Sequence, residues 1–163
     1  MRKAFTMIEL IFVIVILGIL AAVALPKFLG VAQQAHEGNL KGFTGTLNRT
    51  VAPTLWSQSL TDGNGGSIKT YTQYNGANFA KLTDIPQEIS ASTINLGNCQ
   101  VVNQPAQSFA DSNTSITGKS YSIYCRDGNA TTAPAFVLIN KTDNKCVAGP
   151  CSTFDIANSK FTQ

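Results

Sequence analysis

Apolar positions follow three regimes along the 163-residue chain. From Phe5 to Leu25 they are nearly continuous: among those 21 residues, Thr6 and Glu9 alone carry polar side chains. A helix rising about 1.5 Å per residue over such a run is roughly 30 Å long, the thickness of a bilayer's hydrocarbon core. Past Pro26 the apolar residues recur at three- and four-residue steps: Leu29, Ala32, Leu40, Phe43, Leu47, Val51 and Leu55, with His36 on the same stripe. This period predicts an amphipathic helix over 27–60, laid against a sheet. Pro53 is expected to kink or end it, with Trp56 just beyond. Gly38, Gly42 and Gly45 are unusual inside it, each costing about 1 kcal/mol relative to Ala. Close packing against strands or a neighbouring chain is the favoured explanation, and a stretchable segment the alternative.

The third regime begins after "TDGNGGS", 61–67, a cluster of turn formers that separates the helical part from a globular headpiece over 61–163. "SIKTYTQY" alternates and predicts a strand; "NCQVVN", "SYSIYCR" and "AFVLIN" predict three more, and "KCVA" a further short one. "NFAKL", 78–82, predicts a short helix capped by Asn78 and stopped by "DIP". Strands collected after a long helix give an α+β fold with an antiparallel sheet.

Charge adds a restriction. Only 13% of residues are charged, about half the usual share. Of the net +3, Arg2 and Lys3 supply two, so the remainder is close to neutral and implies no broad basic face for nucleic acid. No GxSxG, no phosphate-cradling glycine loop and no Cys/His or paired-carboxylate group is present, so no catalytic role is expected. His36 is the only histidine and lacks partners at ligand spacing, so no metal is expected there. Cys99, Cys125, Cys146 and Cys151 all lie in the headpiece, an even number that suggests disulfides in an exported domain. Of three connectivities, Cys99–Cys125 with Cys146–Cys151 is favoured, contributing roughly 3.5 and 2 kcal/mol by loop entropy.

Three readings compete for the amino-terminal run. Arg2 and Lys3 followed by apolar residues fit a single-span anchor. Ala22-Val23-Ala24 fits a signal-peptidase site. Neither has a use for Glu9, which costs on the order of 2.5–3.5 kcal/mol at the centre of a membrane helix. In the third reading, "AFTMIELIFVIVILGILAAVALP" resembles the amino-terminal signature of type IV pilins and type II secretion pseudopilins. The resemblance implies cleavage between Ala4 and Phe5 by a prepilin peptidase, with N-methylation of the new Phe5 terminus. Ala4 departs from the Gly usual before that cut. Glu9 matches the family's acid at the fifth mature position, and Pro26 its helix proline, where the helix kinks or melts.

The resemblance further implies a prepilin leader at 1–4, a transmembrane and filament-core helix at 5–26, and a pilin-like fold in which a long helical spine packs on a small β headpiece. The chain would then be a structural subunit of a pilus or pseudopilus, with Glu9 neutralising the Phe5 amine of a neighbour and so setting the register. Its partners would be copies of itself, other pilins, the peptidase, an inner-membrane assembly platform and, before assembly, the bilayer, with the headpiece periplasmic. A minor tip pilin binding DNA, a surface or a cargo is the alternative. Calcium, held by a carboxy-terminal loop in major pseudopilins, has candidate ligands in Asp111, Asn113, Asp127, Asn129 and Asp143; their spacing is not that of a dedicated calcium loop, and turns explain them better. No cofactor is therefore expected. Asn113 in "DSNTS" and Asn129 in "DGNAT" fit an acid-extended acceptor of bacterial glycosylation, a pattern that arises readily by chance in a chain rich in Asn, Ser and Thr.

Overall fold

The computed structural model describes residues 6–162. They divide into two compact units, one ending at Ala35 and the other beginning at His36. Helix α1, Met7–Thr46, supplies the first unit and enters the second. It runs on through Pro26 without losing its helical pattern. Near Pro53 the chain stays helical rather than ending. A single wide turn, Leu47–Val51, precedes it, in which the Ala52 N–H reaches back five residues to the Leu47 carbonyl. Pro53 then occupies the first turn of α2, Ala52–Thr61, where a missing donor costs least. Helix α2 ends where the glycine-rich cluster begins.

Leu40, Phe43, Leu47, Val51 and Leu55 are all buried, so the apolar stripe faces the core from Leu40 onward. Its amino-terminal part does not: Ala32 is exposed. Four strands form an antiparallel meander in the order β1 Ser108–Asp111, β2 Tyr121–Arg126, β3 Ala135–Asn140 and β4 Lys145–Ala148. Side chains alternate across the two central strands. Tyr121, Ile123, Cys125, Phe136 and Leu138 join the helical stripe in one cluster. Tyr124, Val137 and Ile139 join a second cluster with Phe154 and Phe161. Those two phenylalanines pair across a small hairpin, β5 Phe154–Asp155 and β6 Lys160–Phe161. The sheet is thus covered on both faces, which is why "FVLI" reads as a continuous apolar run.

β3 is flanked over only half its length by β4, and its first residues need other partners. Asn48 supplies them: its Nδ2 donates to the Phe136 carbonyl at 2.8 Å and its Oδ1 accepts the Phe136 N–H at 2.8 Å. Gly149, with φ +92°, passes so close that a Cβ there would lie 2.2 Å from the Phe136 carbonyl oxygen.

Several local expectations are corrected. "SIKTYTQY" is not a strand. Ile68 and Tyr71 are buried and Tyr74 partly so, at three-residue steps, because the chain turns through Tyr71 N–H to Ile68 O and Tyr74 N–H to Tyr71 O. "NCQVVN" makes one isolated bridge, Gln100 to Arg126, and leaves Val101 exposed. "NFAKL" lies in a tight 3₁₀ turn, Gly76–Lys81, that Asn75 rather than Asn78 precedes. β1 and the β5–β6 hairpin were not expected; a bulge in β1 and two-residue strands carry little alternation to read.

Candidate functional site

The first unit is a helix with its apolar side chains outward. The Thr6 carbonyl accepts the Glu9 N–H at 3.1 Å and the Leu10 N–H at 3.3 Å, which opens α1. Every large apolar side chain from Met7 to Phe28 is exposed, Phe12 to 66% and Leu25 to 65%. Burying one such group is worth about 1.5–3 kcal/mol, so this surface demands a bilayer or an apolar protein around it. By length and composition the helix can cross a membrane. Glu9 sits in its first turn, the one ionisable side chain between Thr6 and Pro26. Among the described residues it makes no ion pair. Ala4 and Phe5, on which the processing expectation falls, lie outside the described residues.

In the second unit, polar groups clamp the first turns of the helix to the headpiece. Glu88 is only 1% exposed; its Oε1 accepts a hydrogen bond from Asn39 Nδ2 at 2.8 Å and lies 2.9 Å from His36 Nδ1. Burial pushes the Glu88 carboxyl up, but the hydrogen bonds from His36 and Asn39 outweigh it and hold it below the ordinary glutamate value. Tyr121 donates its hydroxyl to Glu37 at 3.0 Å, and Lys41 reaches the same carboxylate at 2.8 Å. The hydrogen bond from Lys41 does most to keep Glu37 low; burial opposes it, and the Tyr121 hydroxyl adds a smaller lowering. Burial, reinforced by Glu37, raises Tyr121 to about 12. His36 therefore meets a buried acid on the 86–90 loop. Glu88 and Asn48 were missed in the sequence; Glu88, an acid between Ile85 and Ile89, was the available signal.

The three helix glycines do not pack closely on the strands. A Cβ built on Gly38, Gly42 or Gly45 meets nothing within 4 Å. Cys99 is bonded to Cys125, tying the turn before residue 100 to β2, and Cys146 to Cys151, tying β4 to the turn after it. The candidate calcium ligands are spent on local structure. Asp111 accepts from Ser108 and Ser122, and Asn113 caps the short helix α3, Thr114–Thr117. Asp127 accepts from Ser67 Oγ at 2.6 Å and Ile68 N–H at 2.8 Å, and Asp143 accepts from Lys119 and Asn140. No group of three or more metal-ligating side chains occurs among the described residues.

An outward-facing apolar helix that bears one acid, followed by a helix-backed antiparallel sheet, defines a pilin-like α+β protein. Residues 1–25 match the family model described as the prokaryotic N-terminal methylation motif. The chain is also 53% identical over 38 residues to the type IV narrow pilus major component PilA5 of Thermus thermophilus. That match covers 23% of this chain and 33% of the relative, so it spans about a third of that protein. No solved structure matches the chain. Its amino-terminal segment thus carries the methylation motif and is similar to the corresponding stretch of that pilus component.

Proposed function

We propose that this chain is a structural subunit, not an enzyme, of a bacterial type IV pilus or type II secretion pseudopilus. The observation that carries this reading is the exposed apolar surface of Met7–Phe28, with Glu9 in its first turn, overlapping the methylation motif at 1–25. The chain waits in the inner membrane as a single span with its headpiece in the periplasm. A prepilin peptidase cuts between Ala4 and Phe5, and Phe5 is N-methylated. Subunits then leave the bilayer through the assembly platform and bury their helices together in a periplasmic or extracellular filament.

The physical reason for the cut lies in Glu9. An unpaired carboxylate is costly in an apolar core. Cleavage creates an ammonium with a reference pKa of about 8, four residues before that acid. The Phe5 ammonium of one subunit neutralises Glu9 of its neighbour, a pairing that is favourable only at one axial register. Pro26 supplies a kink or local opening in the packed helix, since it lacks a donor and crowds the carbonyl four residues earlier.

Mass spectrometry of the mature protein's amino terminus tests the proposal. Methylated Phe5 is the expected start. A start at Leu25 would mark an ordinary secretory signal and overturn the reading.

A further inference from the structure

Four Asn-x-Ser/Thr triplets occur in the chain, beginning at Asn48, Asn113, Asn129 and Asn140. Such a triplet is the acceptor of N-linked sugar in exported chains. The structure sorts the four by what their side-chain amides already do. Asn48 Nδ2 is spent on the carbonyls of Thr44 at 3.0 Å and Phe136 at 2.8 Å. Asn140 is buried and its Nδ2 donates to Asp143 at 2.8 Å. Asn113 is half-buried at the start of α3, with Oδ1 accepting the Ser115 N–H at 3.2 Å. Asn129 alone is exposed, in the loop that joins β2 to β3.

The surroundings of Asn129 fix everything in the residue except the reacting atom. Its Oδ1 accepts the Thr131 N–H at 2.9 Å, the Thr131 hydroxyl at 3.0 Å and the Thr132 N–H at 2.8 Å. Its backbone carbonyl accepts Trp56 Nε1–H at 2.8 Å, and its own N–H donates to the Thr132 carbonyl at 2.9 Å. Asn129 Nδ2 makes no hydrogen bond among the described residues. The triplet's hydroxyl is therefore already on the acceptor amide, and the nitrogen is the residue's unspent polar group. Asp127, two residues earlier, is buried and anchors the loop through Ser67, Ile68 and Gly128. The loop is thus held at its base and open at its tip.

We infer that Asn129 is an N-glycosylation site, taking an oligosaccharide from a polyisoprenoid diphosphate carrier. In the transfer, a bond forms between Asn129 Nδ2 and the sugar's C1 while the bond from C1 to the carrier's diphosphate oxygen breaks. The diphosphate leaves with the electron pair, and the amide nitrogen gives up one proton to the medium. The inference rests on export of the headpiece, as in the function proposed above, because the carrier presents its sugar on the outer side of the membrane.

The test is intact-mass measurement and peptide mapping of the full chain from its native source, as wild type, N129D and T131A. N129D keeps the Oδ1 acceptor that orders the loop, and T131A leaves the asparagine in place. The wild type is expected to exceed its sequence mass by whole sugar residues mapped to Asn129, and both variants to lose the whole increment. A wild-type mass equal to the bare sequence, a sugar mapped elsewhere, or an increment retained by N129D overturns the inference. The same spectra report the amino terminus separately. A chain that starts at methylated Phe5 without sugar sinks the site and spares the pilin reading; a glycosylated chain that retains residues 1–4 does the reverse.

Discussion

The two units use the same residue types for opposite ends. Leu17 and Ile19 in the first are more than half exposed, whereas Leu47 and Ile123 in the second are fully buried. The headpiece supplies its own cover, with a helix on one face of the sheet and a hairpin on the other. The first unit has no cover of its own, so its free energy is set by what surrounds it. Stability of the headpiece and the proposed competence to assemble are therefore separable properties of one chain, written in different residues.

The largest effect should come from the residue that is polar in the apolar unit. In the proposed pairing, Glu9→Gln leaves a neighbour's Phe5 ammonium without its counter-charge in the filament core. Removing one partner of a buried pair costs about 3–5 kcal/mol, or roughly two to three orders of magnitude in the assembly equilibrium. Filament yield should collapse while the headpiece melts at the same temperature. Undiminished yield would remove the pairing role.

The converse substitution belongs in the second unit. Leu47→Ala opens a cavity in the core and should destabilise the domain by about 3–5 kcal/mol, read by urea unfolding. Leu17→Ala, on the exposed surface, should shift the same unfolding curve by less than about 0.5 kcal/mol. A large effect of Leu17→Ala on headpiece unfolding would break the separation between the two units.

The sequence revealed the two kinds of apolar surface unequally. The run from Phe5 and the stripe from Leu40 were plain, because a continuous run and a three-to-four-residue period are strong signals. β2, β3 and β4 were legible for the same reason. The stretch from Ser67 to Tyr74 was not. Its alternating residues suggested a period of two, but Ile68 and Tyr71 are buried and Tyr74 partly so, on a period of three. What decides between them is a carboxylate far along the chain, Asp127, which takes the Ile68 N–H and so withdraws it from any ladder. The polar clamps on the helix were hidden likewise: nothing local marks Asn48 as a partner for a strand 88 residues away. For the amino-terminal segment the signature itself led to the methylation motif that residues 1–25 match.

A smaller effect sharpens how the headpiece grips its helix. The Glu88 carboxyl sits lower in the folded chain than in the unfolded one, whose value is near 4.3. Its contribution is therefore fully present above about pH 4.3 and is lost as pH falls through the lower folded value. Glu88→Gln should lower stability at pH 7 by about 1–3 kcal/mol, the cost of a disturbed buried hydrogen-bond cluster. It should also flatten the acid limb of the stability profile, as measured by urea unfolding at pH 7 and pH 3. An acid limb as steep as the wild type's would shift the sensitivity to Glu37, which titrates in the same direction.

The last comparison concerns glycines that look alike in sequence and differ in surroundings. Gly149 has φ +92° and a backbone carbonyl where its Cβ would go. Gly149→Ala should cost about 1–3 kcal/mol in strain. Gly42 lies in a helix with nothing within 4 Å of that position. Gly42→Ala should therefore stabilise the headpiece, by about 1 kcal/mol, through helix propensity and a less free unfolded chain. A helix that forgoes this stabilisation at three positions on a surface its own chain leaves open is keeping that surface narrow for another reason. Filament yield measured on the same variant separates the two explanations. A more stable headpiece with reduced yield assigns the glycines to close packing between subunits. A more stable headpiece with unchanged yield assigns them to a segment that gives under load, and a variant less stable than the wild type would show that the open surface is closed within the chain after all.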